Sequence, residues 1–179
     1  MTRRRFLTIS AAATGAILAG PASGANLYRW QGMALGASAS ITLAHPDAER
    51  IVARARREIA RLEGVFSLHR PDSALARLNR DGHLANPPFE LLECLGQCGA
   101  VHAASGGAFD VTVQPLWALY AAAAARGGYP GADEIDAILP LVGWARVRFD
   151  SSEIRLARPG MALTLNGIAQ GYIADRVAG

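Results

Sequence analysis

Apolar side chains recur every three to four positions over two long stretches of the chain. In the first, Ile51, Ala55, Ile59 and Leu62 share one face, while Arg54, Arg56, Arg57, Glu58 and Arg61 take the other. This spacing predicts a helix that starts at Pro46-Asp47 and ends near Gly64, with the arginines as its solvated face. The second stretch, Phe89 to Ala104, carries Leu91, Leu92, Leu95, Cys98 and Val101-His102 as its stripe, and Ser105-Gly106-Gly107 stops it. Between the two, Pro71 makes residues 66–72 a loop. Ser73 is placed to cap a short helix through Leu78, and residues 79–88 are polar and turn-rich. Alternating or β-branched runs predict strands at 38–43, 108–113 and 161–165, and a hairpin of 147–149 with 154–156. Residues 116–126 and 132–139 read as further helices around a loop at 127–131.

Helices and strands are mixed and the hairpins are local. The expected class is therefore α+β, a mixed or antiparallel sheet with packed helices, rather than a doubly wound sheet. There is no internal repeat and no low-complexity linker. The C-terminal stretch is the most informative. An apolar run, Leu163-Thr164-Leu165, stops at Asn166-Gly167, and Gly171 follows four residues later. Ile168, Tyr172, Asp175 and Arg176 then fit a helix. A helix N-terminus presents unpaired N–H groups that suit a phosphate, and glycine lets a ligand approach the backbone. The same pattern also fits a plain strand-to-helix turn, and it matches neither the dinucleotide fingerprint nor the P-loop. The last helix has barely begun at Gly179, as if the domain were cut short.

The 179 residues, 51% of them hydrophobic, suffice for one domain with a proper core. All 18 basic residues are arginine, and three of them lie in the first five positions; the remainder balances the 15 acids. The chain thus carries no electrostatic footprint for nucleic acid. Thr2-Arg3-Arg4-Arg5-Phe6-Leu7, a mildly apolar run from Ile9 to Gly20, and small residues up to Ala25 have the layout of a twin-arginine signal peptide. The expected division is a signal at 1–25 and a mature domain at 26–179, exported by the twin-arginine machinery to a bacterial periplasm. Cys94 and Cys98 share a helix face but point in parallel, which suits packing better than a disulfide.

Four patches stand in order: Leu35-Gly36-Ala37; Ser67 through Asp72-Ser73 to Leu78-Asn79; Ser105-Gly106-Gly107-Ala108-Phe109-Asp110 with Thr112 and Pro115-Leu116; and residues 165–175. In this order and spacing they resemble the ApbE family of FAD:protein FMN transferases, over the chain from about Trp30 to its end. An exported copy is similar to NosX-like accessory transferases of nitrous oxide respiration. The resemblance implies an ApbE-like, T-fold-related architecture. It also implies a reaction that uses FAD and Mg²⁺, joins FMN to a threonine or serine hydroxyl of a partner protein, and releases AMP. The acceptor would belong to a membrane-associated redox complex. An exported FAD carrier without catalysis, or an FAD pyrophosphatase giving FMN and AMP, are the alternatives.

By the same resemblance, Leu35, His69, Ala108, Phe109, Asp110, Thr164 and Gln170 fall on FAD-contacting positions. The backbone carbonyl of Gly167 falls on a Mg²⁺ ligand, an oxygen donor that suits a hard cation. Leu35 replaces the usual methionine, His69 a tyrosine, Thr164 an aspartate, and Gln170 the lysine of a second family pattern. Read from the residues alone, Asp110 is equally a turn or cap acid, Phe109 a core ring and His69 a surface loop residue. The family's carboxylate and hydroxyl metal ligands, and the histidine proposed as its base, lie in a C-terminal half. The chain therefore corresponds to the N-terminal portion of such a transferase, with an open sheet edge and no catalytic residue to name.

Overall fold

The computed structural model describes residues 6–9, 27–34 and 36–178. Leu35, the arginines Arg3 to Arg5 and the expected cleavage site after Ala25 lie outside the described residues. The chain divides into two units, residues 1–63 with 169–179, and residues 64–168.

The first unit holds an antiparallel sheet of three strands in the order β1-β3-β2. They are β1 (Phe6–Ile9), β2 (Leu27–Ala34) and β3 (Ala37–Ala44). β2 and β3 form a hairpin in which Trp30 opposes Ile41 and Ala34 opposes Ala37, with Gly36 at φ 77° in the tight turn. β1 pairs with the other edge of β3, Phe6 opposite Thr42. The strand expected at 38–43 is present, and its alternation is visible in the buried Ala39 and Ile41. Alternating small and apolar residues run from Tyr28 to Leu43 around Gly32 and Gly36, but only 38–43 was expected as a strand; β2 adds a second, with Leu27 and Met33 exposed. Gly32 lies under the Trp30 ring, which occupies the space that a Cβ there would need. Arg56 covers that same ring, its guanidinium carbon 5.4 Å from the centroid. The expected first helix is α1 (Ala48–Phe66). It buries Ala48, Val52, Ile59 and Leu62 and continues two residues past Gly64.

The second unit begins with α2 (Ala74–Asp81), β4 (His83–Ala85) and α3 (Phe89–Ala104). Ser73 caps α2 as expected: its Oγ accepts the Ala76 N–H at 3.0 Å. Gly82, at φ 68°, closes the same helix with its N–H on Leu78 O. α3 has the expected bounds, but its buried stripe is narrower, made of Leu91, Cys94, Leu95 and Cys98, while Val101 is exposed. Both cysteines are free and buried. Hydrogen bonding to Cys98 and burial push the Cys94 thiol up. α4 (Gln114–Ala125) and α5 (Ala132–Ile138) follow, then the hairpin β5 (Val147–Phe149) and β6 (Glu153–Leu156). β6 is central, in a sheet of order β4-β6-β5. Fully buried Leu75, Leu78, Leu91, Leu95, Ile154, Met161, Leu163 and Leu165 form the core of this unit.

Two expected strands are absent. Residues 111–113 form a 3-10 turn, Val111–Val113, and residues 161–165 run extended without a ladder partner. The physical reason in each case is a side chain that takes the backbone hydrogen bonds a strand would need. The last helix, α6 (Ala169–Ala178), belongs to the first unit. Among the described residues no helix is long and apolar enough to cross a membrane.

Candidate functional site

The bend at 161–168 is built from outside. Met161, Leu163 and Leu165 are buried, whereas Asn166 and Gly167 are exposed. Asn79, at the C-terminal end of α2, reaches Leu163 with both amide atoms. Its Oδ1 accepts the Leu163 N–H at 2.7 Å and its Nδ2 donates to the Leu163 carbonyl at 2.9 Å. One residue on, the Thr164 N–H donates to Val111 O at 2.8 Å. The chain then turns, with the Ile168 N–H on Leu165 O at 2.9 Å.

Val111 brings with it the second patch. Ser105-Gly106-Gly107 ends α3 with two successive glycines at φ 61° and 88°, a reversal that side-chain-bearing residues rarely adopt. The Phe109 N–H donates to Ser105 Oγ at 3.0 Å, and the Phe109 carbonyl accepts from His102 Nδ1 at 2.7 Å. A carbonyl only accepts, so His102 carries its proton on Nδ1. Asp110 caps the 3-10 turn: its Oδ1 accepts the Thr112 N–H at 2.8 Å and the Thr112 hydroxyl at 2.6 Å. Its Oδ2 accepts the Trp144 N–H at 3.0 Å, and Thr112 Oγ1 in turn accepts the Gly143 N–H at 2.6 Å. The Phe109 ring comes to rest beside the bend. A Cβ added at Gly167 would lie 3.6 Å from Phe109 Cε2.

The structure thus brings Ala108, Phe109, Asp110, Thr164 and Gly167 together in one unit. Ala108 and Gly167 are exposed, and Phe109, Asp110 and Thr164 are half-buried. His69 is exposed on a loop of the same unit, with no contact to this group among the described interactions. Its loop is held at both ends by Ser67: Oγ accepts the N–H groups of His69 and Arg70, and the carbonyl accepts the Ser73 hydroxyl at 2.6 Å. On that loop the Arg70 guanidinium holds the Asp72 carboxyl below the usual range. Gln170 lies half-buried in the first turn of α6, in the other unit, and Leu35 lies outside the described residues. Sequence reasoning did not single out Asn79 and His102 as holding the site. Asn79 entered only as the end of the second family patch, and His102 only as part of the α3 stripe, one turn before a glycine pair.

The pieces fit a flavin nucleotide in one respect. Gly167 is exposed, with the Phe109 ring at contact distance from where its Cβ would be, at a turn whose exposed backbone can meet a phosphate. For Mg²⁺ the fit is poor. Among the described residues, no three of His, Cys, Asp and Glu are grouped to hold a metal, and a lone carbonyl does not supply the oxygen set that Mg²⁺ requires.

Comparison with known proteins shows the family and the fold. A family model described as the ApbE family matches residues 35–179. A curated relative, the FAD:protein FMN transferase of Klebsiella pneumoniae (strain 342), is 28% identical over 158 residues, which are 84% of this chain and 49% of the relative. The flavin transferase ApbE of Vibrio cholerae shares the fold with a TM-score of 0.76 at 22% identity, over 87% of this chain and 53% of that one. The apo flavinyl transferase ApbE of Pseudomonas stutzeri gives 0.71 at 25% identity, over 86% and 51%. The chain spans about half the length of the relatives it matches. On its α+β fold and on the family match over residues 35–179, the chain belongs to the ApbE family.

Proposed function

We propose that this protein acts as an FAD:protein FMN transferase, with the bend at 161–168 and the Ala108-Phe109-Asp110 loop as its FAD-binding surface. The observation that carries the reading is the packing of Gly167 against Phe109, tied by the Thr164 bond to Val111. In the reaction, the acceptor hydroxyl oxygen of a threonine or serine bonds to the FMN phosphorus of FAD. The phosphoanhydride bond to AMP breaks, AMP leaves, and the hydroxyl proton passes to a base. The bend's exposed backbone receives the diphosphate, Phe109 packs on the ligand, and Asp110 holds the loop that presents Phe109. His69, on the same unit, serves as a further FAD contact; for Leu35 and Gln170 the FAD role is supported by the family resemblance alone. Mg²⁺ dependence, with the Gly167 carbonyl as one donor, is inherited from the family resemblance, and no step is derived through the ion.

The N-terminal twin-arginine layout supports export to the periplasm, where the acceptor would be a protein of a membrane-associated redox complex such as that of nitrous oxide respiration. The test is incubation of the protein with FAD, Mg²⁺ and a partner carrying an acceptor threonine, followed by mass spectrometry of the partner. A covalent FMN increment with stoichiometric AMP is expected. FAD binding with no AMP identifies a carrier instead, and AMP with free FMN identifies a pyrophosphatase; either result overturns the transferase reading.

A further inference from the structure

Asn79 stands out because both of its side-chain hydrogen bonds among the described interactions go to one residue 84 positions away. An amide that accepts from an N–H and donates to the C=O of the same residue imitates the backbone of a neighbouring strand. It does so where a backbone strand is missing, since residues 161–165 have no ladder. Beside it, among the described residues, only Val111 receives a hydrogen bond from the middle of this segment, through Thr164. Register matters here more than in an ordinary loop. Leu163 and Leu165 point into the core and Thr164 does not, so a slip of one residue would expose both leucines and move Gly167 away from Phe109.

We infer that Asn79 is a positioning residue for nucleotide binding: by clamping Leu163 it sets the register that places Gly167 opposite Phe109. The inference rests on the reading above, that this bend receives FAD. Only a side chain with a donor and an acceptor in one plane fits the role. Alanine removes both. Aspartate keeps the shape but loses the donor, and it sets a negative carboxylate against the Leu163 carbonyl.

The experiment compares wild type, Asn79→Ala and Asn79→Asp with Leu84→Ala, a core control on β4. FAD affinity is read from quenching of flavin fluorescence and corrected for the folded fraction by circular dichroism. Amide hydrogen exchange follows Leu163. In the folded fraction, Asn79→Ala is expected to bind FAD about tenfold more weakly, and Asn79→Asp more weakly still, with faster exchange at Leu163 in both. Folded Leu84→Ala should bind as wild type does. The inference is overturned if folded Asn79→Ala binds FAD normally, or if Leu84→Ala loses affinity to the same degree. Should the Asn79 variants not fold, the wild type alone decides: FAD must slow exchange at Leu163 and Thr164, and unchanged exchange rejects the idea. A wild type that does not bind FAD at all brings down the proposed function and this inference together. Normal binding by Asn79→Ala brings down this inference alone.

Discussion

At the scale of single residues, Gly167 and Asp110 separate stability from binding. Gly167 does not have a left-handed φ, and a Cβ there would make ordinary contact with Phe109. Gly167→Ala should therefore change folding stability by no more than about 0.5 kcal/mol, whereas Gly167→Leu should fill the cradle and weaken FAD binding by roughly tenfold or more. Titration of both variants with FAD checks this, and equal affinity of Gly167→Leu and wild type would remove the cradle from the site. Asp110 behaves in the opposite way. Its carboxylate accepts three hydrogen bonds, so Asp110→Ala leaves two backbone N–H groups without their partner. The expected cost is about 1–2 kcal/mol, read from the denaturation midpoint, because the group is only half-buried. Of the two roles open to Asp110 in the sequence, the cap is the one visible in the fold. Its pairing with Trp144 was not legible, since nothing in the intervening sequence marks the Trp144 N–H as its donor.

At the scale of elements, the Ser73 cap that starts α2 was readable. Ser73 is fully buried, accepts the Ala76 N–H and donates to Ser67 O. Ser73→Ala should cost about 1–2 kcal/mol and loosen the loop that carries His69; a midpoint unchanged from wild type would contradict it. The β4-β6 pair carries a pH dependence. Hydrogen bonding to Arg155, and then to His83, holds the Glu153 carboxyl below its usual 4.5. A lowered pKa in the folded state means that the contribution is complete above the unfolded value and is lost as pH falls through the folded one. Glu153→Gln should thus leave acid unfolding less steep below about pH 4.5 and leave the neutral-pH behaviour nearly unchanged. A pH–stability series on both proteins measures it. The misread elements have a common cause. Val111-Thr112-Val113 is β-branched and reads as strand, yet the Asp110 carboxylate takes the Thr112 N–H and closes a 3-10 turn. Residues 161–165 alternate as a strand should, but their partners are a side-chain amide and the carbonyls of Arg158 and Val111.

At the scale of the molecule, the chain carries two units and an N-terminal stretch whose reading rests on residue order alone. Replacing Arg3 and Arg4 together with lysine keeps the charge but removes the twin-arginine address. The expected outcome is retention of the protein in the cytoplasm, seen by cell fractionation; normal export of this variant would reject the twin-arginine assignment. β1 (Phe6–Ile9) pairs with β3 in the same stretch, and only three-dimensional pairing exposes that relation.

What the sequence determined by itself was local and periodic: the helices α1 and α3, the Ser73 cap, the β5-β6 hairpin, the α+β class, and the four patches that carry the family likeness. The elements depend on neighbours within a few residues and the patches on their order along the chain, so the sequence contains both. What only the tertiary structure decided was which distant groups share a surface. Phe109 meets Gly167, Asn79 stands in for a strand beside Leu163, and Thr112 and Asp110 reach Gly143 and Trp144. Each of these contacts joins positions tens of residues apart, and the burial of a common core, rather than any local preference, brings them within hydrogen-bonding reach.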